Sequence, residues 1–220
     1  PLAFAVLAER AGIPPGVFSV VTTAGENTPI VGNVITKSEK VNKISFTGST
    51  KTGILLAKSA ADTVTRMGLE LGGNAPFIVF DDADPVHAAK GVSLVKFLNT
   101  GQACISPNRI FVQRSILTPF LETLSGRIAK LKVGDGMLPD STVGPLVSQA
   151  AVNKVANQVE DATNKGANLL NGGSRLGEGS LANGHFYAPT LLSNVTSEML
   201  IYREETFGPV AAVIPFDTYD

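Results

Sequence analysis

The sequence predicts an α/β fold with largely parallel sheets. Short apolar runs of strand length alternate along the chain with longer segments whose apolar residues recur at helical spacing. Such alternation is typical of parallel strands connected by helices. The chain has 220 residues, 44% of them hydrophobic, and can bury a substantial core. A change in composition near Gly72 and Gly73 predicts a domain boundary, with residues 1–72 before it and 73–220 after it.

Helices are recognised by their apolar spacing and by the residues at their ends. Asp84 followed by Pro85 places a capping carboxylate before a proline that fits the first helical turn. Gly12 and Gly166 fit positions just past the end of a helix. The predicted helices are 2–10, 27–35, 49–61, 84–98, 115–131 and 148–165.

Strands are recognised as short apolar runs between turn residues. The predicted strands are 17–21, 41–46, 67–71, 76–80, 109–113, 167–170, 186–192 and 210–216. A loop rich in glycine and proline is predicted over residues 134–145.

Composition excludes several classes of function. The net charge of -1 provides no strong positive field, which argues against nucleic acid as a partner. One cysteine excludes a disulfide framework within the chain, and one cysteine with two histidines argues against a Cys/His zinc site. No apolar run approaches the roughly 20 residues that a membrane-spanning helix needs. The chain begins at Pro1 and ends just after a strand-like run, so we expect it to be a fragment.

The first candidate segment for chemistry is 46–53, Phe-Thr-Gly-Ser-Thr-Lys-Thr-Gly. It lies between a predicted strand and a predicted helix, where glycines let backbone amides approach a phosphate and a helix N-terminus favours negative charge. Ile54 and Leu55 after the second glycine exclude a P-loop, and the G-x-G-x-x-G pattern is absent. An ordinary tight turn explains the segment equally well.

The second candidate is Glu70, which lies between two leucines at the end of a predicted strand. Partial burial makes a carboxylate a better base near neutral pH, so we consider Glu70 a candidate general base. An edge-strand glutamate that faces water is the commoner case for an isolated Glu.

The third candidate is Cys104, the only cysteine, in the segment Asn-Thr-Gly-Gln-Ala-Cys-Ile-Ser over 99–106. Loops on rigid scaffolds often carry nucleophiles, and a thiol needs activation or a base to attack at neutral pH. A buried structural thiol is the competing interpretation. Among weaker candidates, helix capping explains the acidic run 81–84 better than a metal does, and His87 is expected at the surface. The run 203–205 fits a solvated charged turn.

Four blocks in the right order closely resemble the aldehyde dehydrogenase superfamily. They are Phe-Thr-Gly-Ser-Thr (46–50), Leu-Glu-Leu-Gly-Gly (69–73), Gly-Gln-Ala-Cys (101–104) and Glu-Glu-Thr-Phe-Gly-Pro (204–209). The resemblance covers the whole chain. The runs Val-Gly-Asn at 31–33 and Gly-Gly-Asn-Ala-Pro-Phe-Ile-Val-Phe-Asp-Asp-Ala-Asp at 72–84 are most similar to the succinate-semialdehyde dehydrogenase branch.

The resemblance implies a fold and a function for each domain. Residues 1–72 correspond to the C-terminal part of a Rossmann-like NAD(P)-binding domain, and 73–220 to an α/β catalytic domain truncated at its C-terminus. It also implies a small-molecule aldehyde substrate, NAD or NADP as cofactor, a homo-oligomeric parent, and the cytoplasm or mitochondrial matrix as location. Because family elements upstream and downstream are absent, we expect the 220 residues alone to turn over poorly.

The resemblance also implies a role for each motif residue. Cys104 corresponds to the nucleophile that adds to the aldehyde carbonyl, and Glu70 to the general base for the thiol or the hydrolytic water. Collapse of the resulting thiohemiacetal transfers hydride to the nicotinamide and leaves a thioester, which water then hydrolyses. The implied cofactor-binding residues are Gly32, Gly48, Ser49, Leu71, Glu205 and Phe207.

Two positions depart from the succinate-semialdehyde pattern. Leu98 occupies the place of an arginine that binds the substrate carboxylate, and Ser106 occupies the place of a second cysteine. Without the guanidinium a charge-assisted pair is lost. Lys37 does not distinguish NAD from NADP. A cysteine hydrolase or acyl-transfer enzyme and a non-catalytic interaction protein stay open as alternatives, although intact Cys104, Glu70 and Glu205 argue against the latter.

Overall fold

The chain folds into two compact units, Pro1–Leu71 and Gly72–Asp220. A computed structural model describes residues 1–218. Strands and helices alternate in both units, which confirms the predicted α/β class. None of the helices in residues 1–218 is long and apolar enough to cross a membrane.

The first unit is a small parallel sheet with helices. Its elements are α1 (Leu2–Arg10), α2 (Thr28–Thr36), β1 (Lys43–Gly48), α3 (Thr50–Ala60) and β2 (Arg66–Leu71). Strands β1 and β2 are parallel, and their register places Gly48 beside Leu71 at the carboxyl ends of both strands. Helix α3 connects the two strands, as a parallel pair requires.

The predicted strand at 17–21 is wrong. These residues form turns and irregular backbone. The two-stranded sheet of the first unit contains only β1 and β2. An apolar run becomes a strand only when a neighbour supplies hydrogen bonds, and residues 17–21 have no such neighbour among residues 1–218.

The second unit is built on a five-stranded sheet. Its helices are α4 (Pro85–Lys96), α5 (Leu117–Ile128), α6 (Gln149–Asn164) and α7 (Leu200–Arg203). Its strands are β3 (Pro76–Val79), β4 (Arg109–Gln113), β5 (Asn168–Asn171), β6 (Arg175–Leu176), β7 (Phe186–Tyr187), β8 (Thr190–Ser193) and β9 (Val210–Phe216). The sheet order is β3-β4-β9-β8-β5, and only β5 runs antiparallel to its neighbour. Strands β6 and β7 form a separate antiparallel ribbon.

Strand β9 shows why the sheet is buried on both faces. Val210, Ala212 and Ile214 belong to one apolar cluster together with residues of α6. Ala211 and Val213 belong to a second cluster together with residues of α4 and α5. Because alternate side chains of a strand point to opposite faces, this division places helices on both sides of the sheet.

Element boundaries differ from the predictions where the backbone has special geometry. Helix α4 ends at Lys96, before the predicted end, because Asn99 and Thr100 have positive φ. The predicted strand 186–192 is split into β7 and β8 around Pro189, since proline has no N–H to donate to a ladder. The short elements α7 and β6 were not predicted.

Candidate active site

The loop that carries Cys104, residues 97–108, begins with an unusual backbone; we call it the cysteine loop. Asn99, Thr100 and Gly101 have φ values of 49°, 62° and 73°. A left-handed conformation costs a non-glycine residue of order 1–3 kcal/mol and persists only where surrounding contacts hold it. Asn99 Nδ2 donates to the carbonyl of Gln102 at 3.0 Å, which closes the turn.

Gln102 attaches the cysteine loop to a second loop. Its Nε2 donates to the Pro145 carbonyl at 3.2 Å, and its Oε1 accepts from the Val147 N–H at 2.8 Å. Thr100 Oγ1 also donates to this second loop, at the Gly144 carbonyl, over 3.1 Å. These bonds fix the strained backbone before the cysteine. Gln102 has no local sequence signal for this role, because its partners lie far along the chain.

Cys104 lies in an exposed turn of the cysteine loop. The N–H of Ser106 donates to the Ala103 carbonyl at 3.0 Å and closes this turn. Ser106 is itself buried, and its Oγ donates to the Lys96 carbonyl at 3.4 Å. The backbone around Cys104 is therefore fixed by hydrogen bonds, and the thiol is exposed to solvent. The interpretation of Cys104 as a buried structural thiol is wrong.

Gly101 allows the cysteine loop to approach the segment 204–209 backbone to backbone. A Cβ on Gly101 would collide with the Gly208 carbonyl oxygen and would lie 3.1 Å from the Lys96 carbonyl oxygen. Only glycine tolerates both this contact and the positive φ. The motif blocks 101–104 and 204–209 are therefore brought together within the second unit.

The carboxylate of Glu205 lies against the glycines of a third motif block. Its Oε1 accepts from the Gly73 N–H at 3.3 Å, and a Cβ on Gly72 would collide with it. Phe207 follows with a φ of 51° and is 40% exposed. A positive φ is rare for an aromatic residue and is often found at functional sites.

Lys96 is a buried charged residue that the sequence analysis did not single out. Only 1% of its surface is exposed, and no salt bridge to it occurs among residues 1–218. Burial lowers the pKa of Lys96 to about 7, although the negative charge of Glu205 opposes this effect. A lysine in this environment can change its charge near neutral pH.

The turn between β1 and α3 fits a phosphate by its local chemistry. Ser49 is the N-cap of α3: its Oγ accepts from the Thr52 N–H at 3.2 Å. Gly48 and Ser49 are exposed at the start of this eleven-residue helix. Exposed N–H groups at a helix N-terminus favour an anion. Gly53 serves packing instead, because a Cβ there would lie 2.6 Å from Leu71 Cδ2.

The structure places Glu70 and Leu71 at the carboxyl end of β2, beside the end of β1. Ligands of open parallel sheets bind at this end of the strands. The side chain of Glu70 is exposed on a strand that, among residues 1–218, pairs only with β1, which fits the interpretation of an edge-strand glutamate that faces water. Gly32 lies within helix α2, where a Cβ would meet Leu56 of α3 at 3.7 Å.

The weaker candidates have structural roles. Asp84 Oδ1 accepts from the N–H groups of Val86 and His87 at 2.7 and 3.1 Å, as a helix cap does. These backbone hydrogen bonds lower the pKa of Asp84. His87 is exposed, as expected. No cluster of His, Cys, Asp and Glu able to hold a metal occurs in the part of the chain that the structure describes.

Comparison with known protein families shows the family of the chain. A family model described as "Aldehyde dehydrogenase family" matches residues 1–220. The chain belongs to the aldehyde dehydrogenase family. The resemblance inferred from the four motif blocks is confirmed.

Curated aldehyde dehydrogenases are similar over nearly the whole chain. The mitochondrial succinate-semialdehyde dehydrogenase of Oryza sativa subsp. japonica is 48% identical over 217 residues, which cover 99% of this chain and 40% of that enzyme. The 3-sulfolactaldehyde dehydrogenase of Pseudomonas putida is 49% identical over 219 residues, which cover 100% of this chain and 44% of that enzyme. The chain thus spans less than half the length of these relatives.

Solved structures of similar proteins share the fold. An NADP dependent enzyme of E. coli has a TM-score of 0.93 and 44% identity, over 99% of this chain and 44% of that one. The betaine aldehyde dehydrogenase of Staphylococcus aureus in complex with NAD+ has a TM-score of 0.91 and 37% identity, over 99% of this chain and 42% of that one.

Proposed function

We propose that the protein carrying this chain oxidises an aldehyde to a carboxylic acid with NAD or NADP, through a thioester on Cys104. The observation that carries the proposal is an exposed cysteine on a clamped, strained loop, packed against the segment of Glu205, in a member of the aldehyde dehydrogenase family. In this proposal residues 1–72 belong to the NAD(P)-binding domain and residues 73–220 to the catalytic domain.

The proposed cofactor-binding residues are Gly32, Gly48, Ser49, Leu71, Glu205 and Phe207. In the first unit Gly48 and Ser49 bind the pyrophosphate at the N-terminus of α3, Leu71 contacts the nicotinamide through its backbone, and Gly32 lies in the same cofactor region. In the second unit Glu205 binds the nicotinamide-side ribose and Phe207 packs beside the nicotinamide. When bound, NAD or NADP supplies the acceptor for the hydride that the aldehyde carbon loses. Bound NAD+ in the similar staphylococcal enzyme and NADP dependence of the E. coli enzyme support this choice.

Cys104 performs the covalent steps. Its thiolate Sγ adds to the aldehyde carbon, a C–S bond forms, and the carbonyl electron pair moves to oxygen. The backbone N–H of Cys104 is a candidate donor to this oxyanion. Loss of hydride from the same carbon restores the C=O bond and leaves a thioester, which makes the thiolate the leaving group of the second half-reaction.

Glu70 is proposed to manage the protons. Its carboxylate accepts the proton of the thiol before attack, or of the water that hydrolyses the thioester. Water then adds to the thioester carbon, the C–S bond breaks, and the carboxylic acid and the free thiol are released. The exposure of Glu70 supports access to water.

We propose an anionic aldehyde as substrate, with succinate semialdehyde first. The mitochondrial succinate-semialdehyde dehydrogenase of rice supports this choice. The equal similarity of the 3-sulfolactaldehyde dehydrogenase favours a second candidate, another aliphatic or hydroxy aldehyde. Leu98 is 54% exposed and provides no positive charge at its position, so we propose that an arginine elsewhere in the full-length protein binds the anionic group of either substrate.

The test is an assay of NADH or NADPH formation by the full-length protein. Succinate semialdehyde, 3-sulfolactaldehyde and uncharged propanal are compared with each cofactor, in the wild type and in Cys104→Ser. We expect activity with an anionic aldehyde and its loss in the variant. Preference for propanal contradicts the substrate proposal. Thioester formation that needs no nicotinamide cofactor indicates the alternative, a cysteine hydrolase or acyl-transfer enzyme.

The assembly and location of the full-length protein are also proposals. We propose that the full-length protein is a homo-oligomer and that it lies in the cytoplasm or the mitochondrial matrix. The mitochondrial relatives support the second of these locations only. Light scattering during size-exclusion chromatography gives the mass in solution, and a monomeric mass contradicts the oligomer.

A further inference from the structure

The side chain of Asn108 joins three chain segments of the second unit that carry motif residues. Asn108 ends the cysteine loop and is 3% exposed. Its Nδ2 donates to Asn74 Oδ1 at 2.6 Å and to the Glu204 carbonyl at 3.0 Å. Its Oδ1 accepts from the Thr206 N–H at 2.7 Å. One buried amide therefore connects the segment after Gly73, the cysteine loop and the segment around Glu205.

Only an amide of this length satisfies the partners of Asn108. The Thr206 N–H requires an acceptor, and the Glu204 carbonyl requires a donor, so the orientation of the amide is determined by its surroundings. An aspartate at this position keeps the acceptor and loses both donors. An alanine leaves the N–H of Thr206 and the carbonyl of Glu204 without this partner in a buried place, which is unfavourable.

The two backbone groups that Asn108 binds lie on either side of Glu205. The Glu204 carbonyl belongs to the peptide unit before Glu205, and the Thr206 N–H belongs to the peptide unit after it. With both units held, the carboxylate of Glu205 reaches the Gly73 N–H at 3.3 Å. Phe207, with its positive φ, follows directly.

Asn74 is itself held, so it cannot follow Asn108 if the latter moves. Its Nδ2 donates to the Tyr202 carbonyl at 2.8 Å. Its backbone carbonyl accepts from Arg109 Nε and Nη2 at 3.2 and 2.8 Å. The guanidinium of Arg109 lies 5.5 Å from the centre of the Tyr202 ring. Asn108 is the central member of a rigid polar network.

We propose that Asn108 is a positioning residue that holds Glu205 and Phe207 in register with Cys104. The inference rests on the proposed function, in which Glu205 and Phe207 contact the nicotinamide end of the cofactor. Loss of the amide releases the segment 204–207 and weakens cofactor binding. The thiol of Cys104, whose turn is closed by Ser106 and clamped through Gln102, stays accessible.

The experiment uses the full-length protein with Asn108→Asp and Asn108→Ala. The matched control is Asn171→Ala, which removes a half-buried amide that donates to the Ser125 carbonyl from edge strand β5. Calorimetric titration gives the Kd for NAD+ and NADP+, and we expect it to rise about tenfold or more in both Asn108 variants. Hydrogen exchange of residues 204–208 in the cofactor-free protein is expected to speed up. The rate at which iodoacetamide alkylates Cys104 without cofactor is expected to change by less than about twofold.

The outcomes separate the possible explanations. If the Asn108 variants have the same cofactor Kd and the same hydrogen exchange of residues 204–208 as the Asn171→Ala control, the positioning role is overturned. A parallel rise in the alkylation rate overturns it too, because it shows general loosening of the unit. If neither Asn108 variant folds, Asn74→Ala removes the 2.6 Å contact and keeps Asn108; a Kd equal to the wild type then overturns the proposal. If the wild type forms no NADH or NADPH with any aldehyde, the proposed function fails and the inference fails with it.

Discussion

Lys96 shows at the scale of a single residue how burial controls charge. An ammonium group removed from water loses hydration, and the pKa of Lys96 falls from 10.5 to about 7. Between pH 7 and 10.5 the unfolded chain therefore binds more protons than the folded chain does. The free energy of unfolding should rise with pH across this range, by at most about 1.4 kcal/mol per pH unit. Below pH 7 Lys96 is protonated in both states and adds no slope.

Replacement of Lys96 by methionine should remove this slope. Urea unfolding at pH 7, 8 and 9 can be followed by tyrosine fluorescence, because the chain has no tryptophan and its three tyrosines lie after residue 186. The control Lys90→Met changes an exposed lysine of the same helix and should keep the pH dependence. If the free energy of unfolding changes with pH by the same amount in the wild type and in Lys96→Met, the pH dependence does not come from Lys96.

At the scale of elements, the contact between the cysteine loop and the segment 204–209 depends on Gly101. In Gly101→Ala the new Cβ meets the backbone of Gly208, which cannot rotate away as a side chain can. We expect the second unit to lose about 2–4 kcal/mol of stability. Gly126→Ala, at an exposed helical site where, among residues 1–218, the new Cβ meets nothing beyond its own stretch of helix, should instead gain about 0.5–1 kcal/mol. Urea unfolding measures the change in the free energy of unfolding for both variants. An unchanged free energy in Gly101→Ala contradicts the contact with the Gly208 backbone.

The N-terminus of α3 provides a second prediction at this scale. Ser49→Ala removes the cap hydrogen bond to the Thr52 N–H and should cost the helix about 1 kcal/mol. In the full-length protein it should also weaken NAD+ or NADP+ binding. Ser148→Ala removes the equivalent cap of α6 and should leave cofactor affinity unchanged. Calorimetric titration measures the cofactor affinity of both variants. If Ser49→Ala binds the cofactor as tightly as Ser148→Ala does, the result argues against a pyrophosphate site at the N-terminus of α3.

Elements were predictable where local signals and tertiary structure agree. Asp84 and Pro85 marked the start of α4, and the apolar run 210–216 became β9 because both of its faces are covered. The run 17–21 carries the same apolar signal and forms no strand, since pairing depends on a neighbour that local sequence does not reveal. Cys104 stood out as the only cysteine of the chain, in a glycine-containing loop, whereas Glu205 was found through a family motif. Asn108 gave no local signal, because its partners are set by the fold.

For the whole molecule, the two units should differ in local stability. The second unit contains two large apolar clusters, whereas α1 of the first unit has no buried residue. Few buried contacts predict low protection from hydrogen exchange. In the 220-residue chain we expect α1 to exchange first and β4, β8 and β9 last, as measured by mass spectrometry of peptides. Equal protection of α1 and β9 would contradict this ranking.

The exposed apolar surface of the first unit leads to a prediction about the chain by itself. Phe4, Val17 and Val21 are 68%, 71% and 82% exposed, and the relatives are more than twice as long as the matched region. Exposed apolar patches bind dyes and promote association. We therefore expect the 220-residue chain to bind anilinonaphthalene sulfonate and to form little NADH or NADPH, whereas the full-length protein should be active and bind less dye. Equal specific activities of the two would show that the catalytic geometry is complete within these residues.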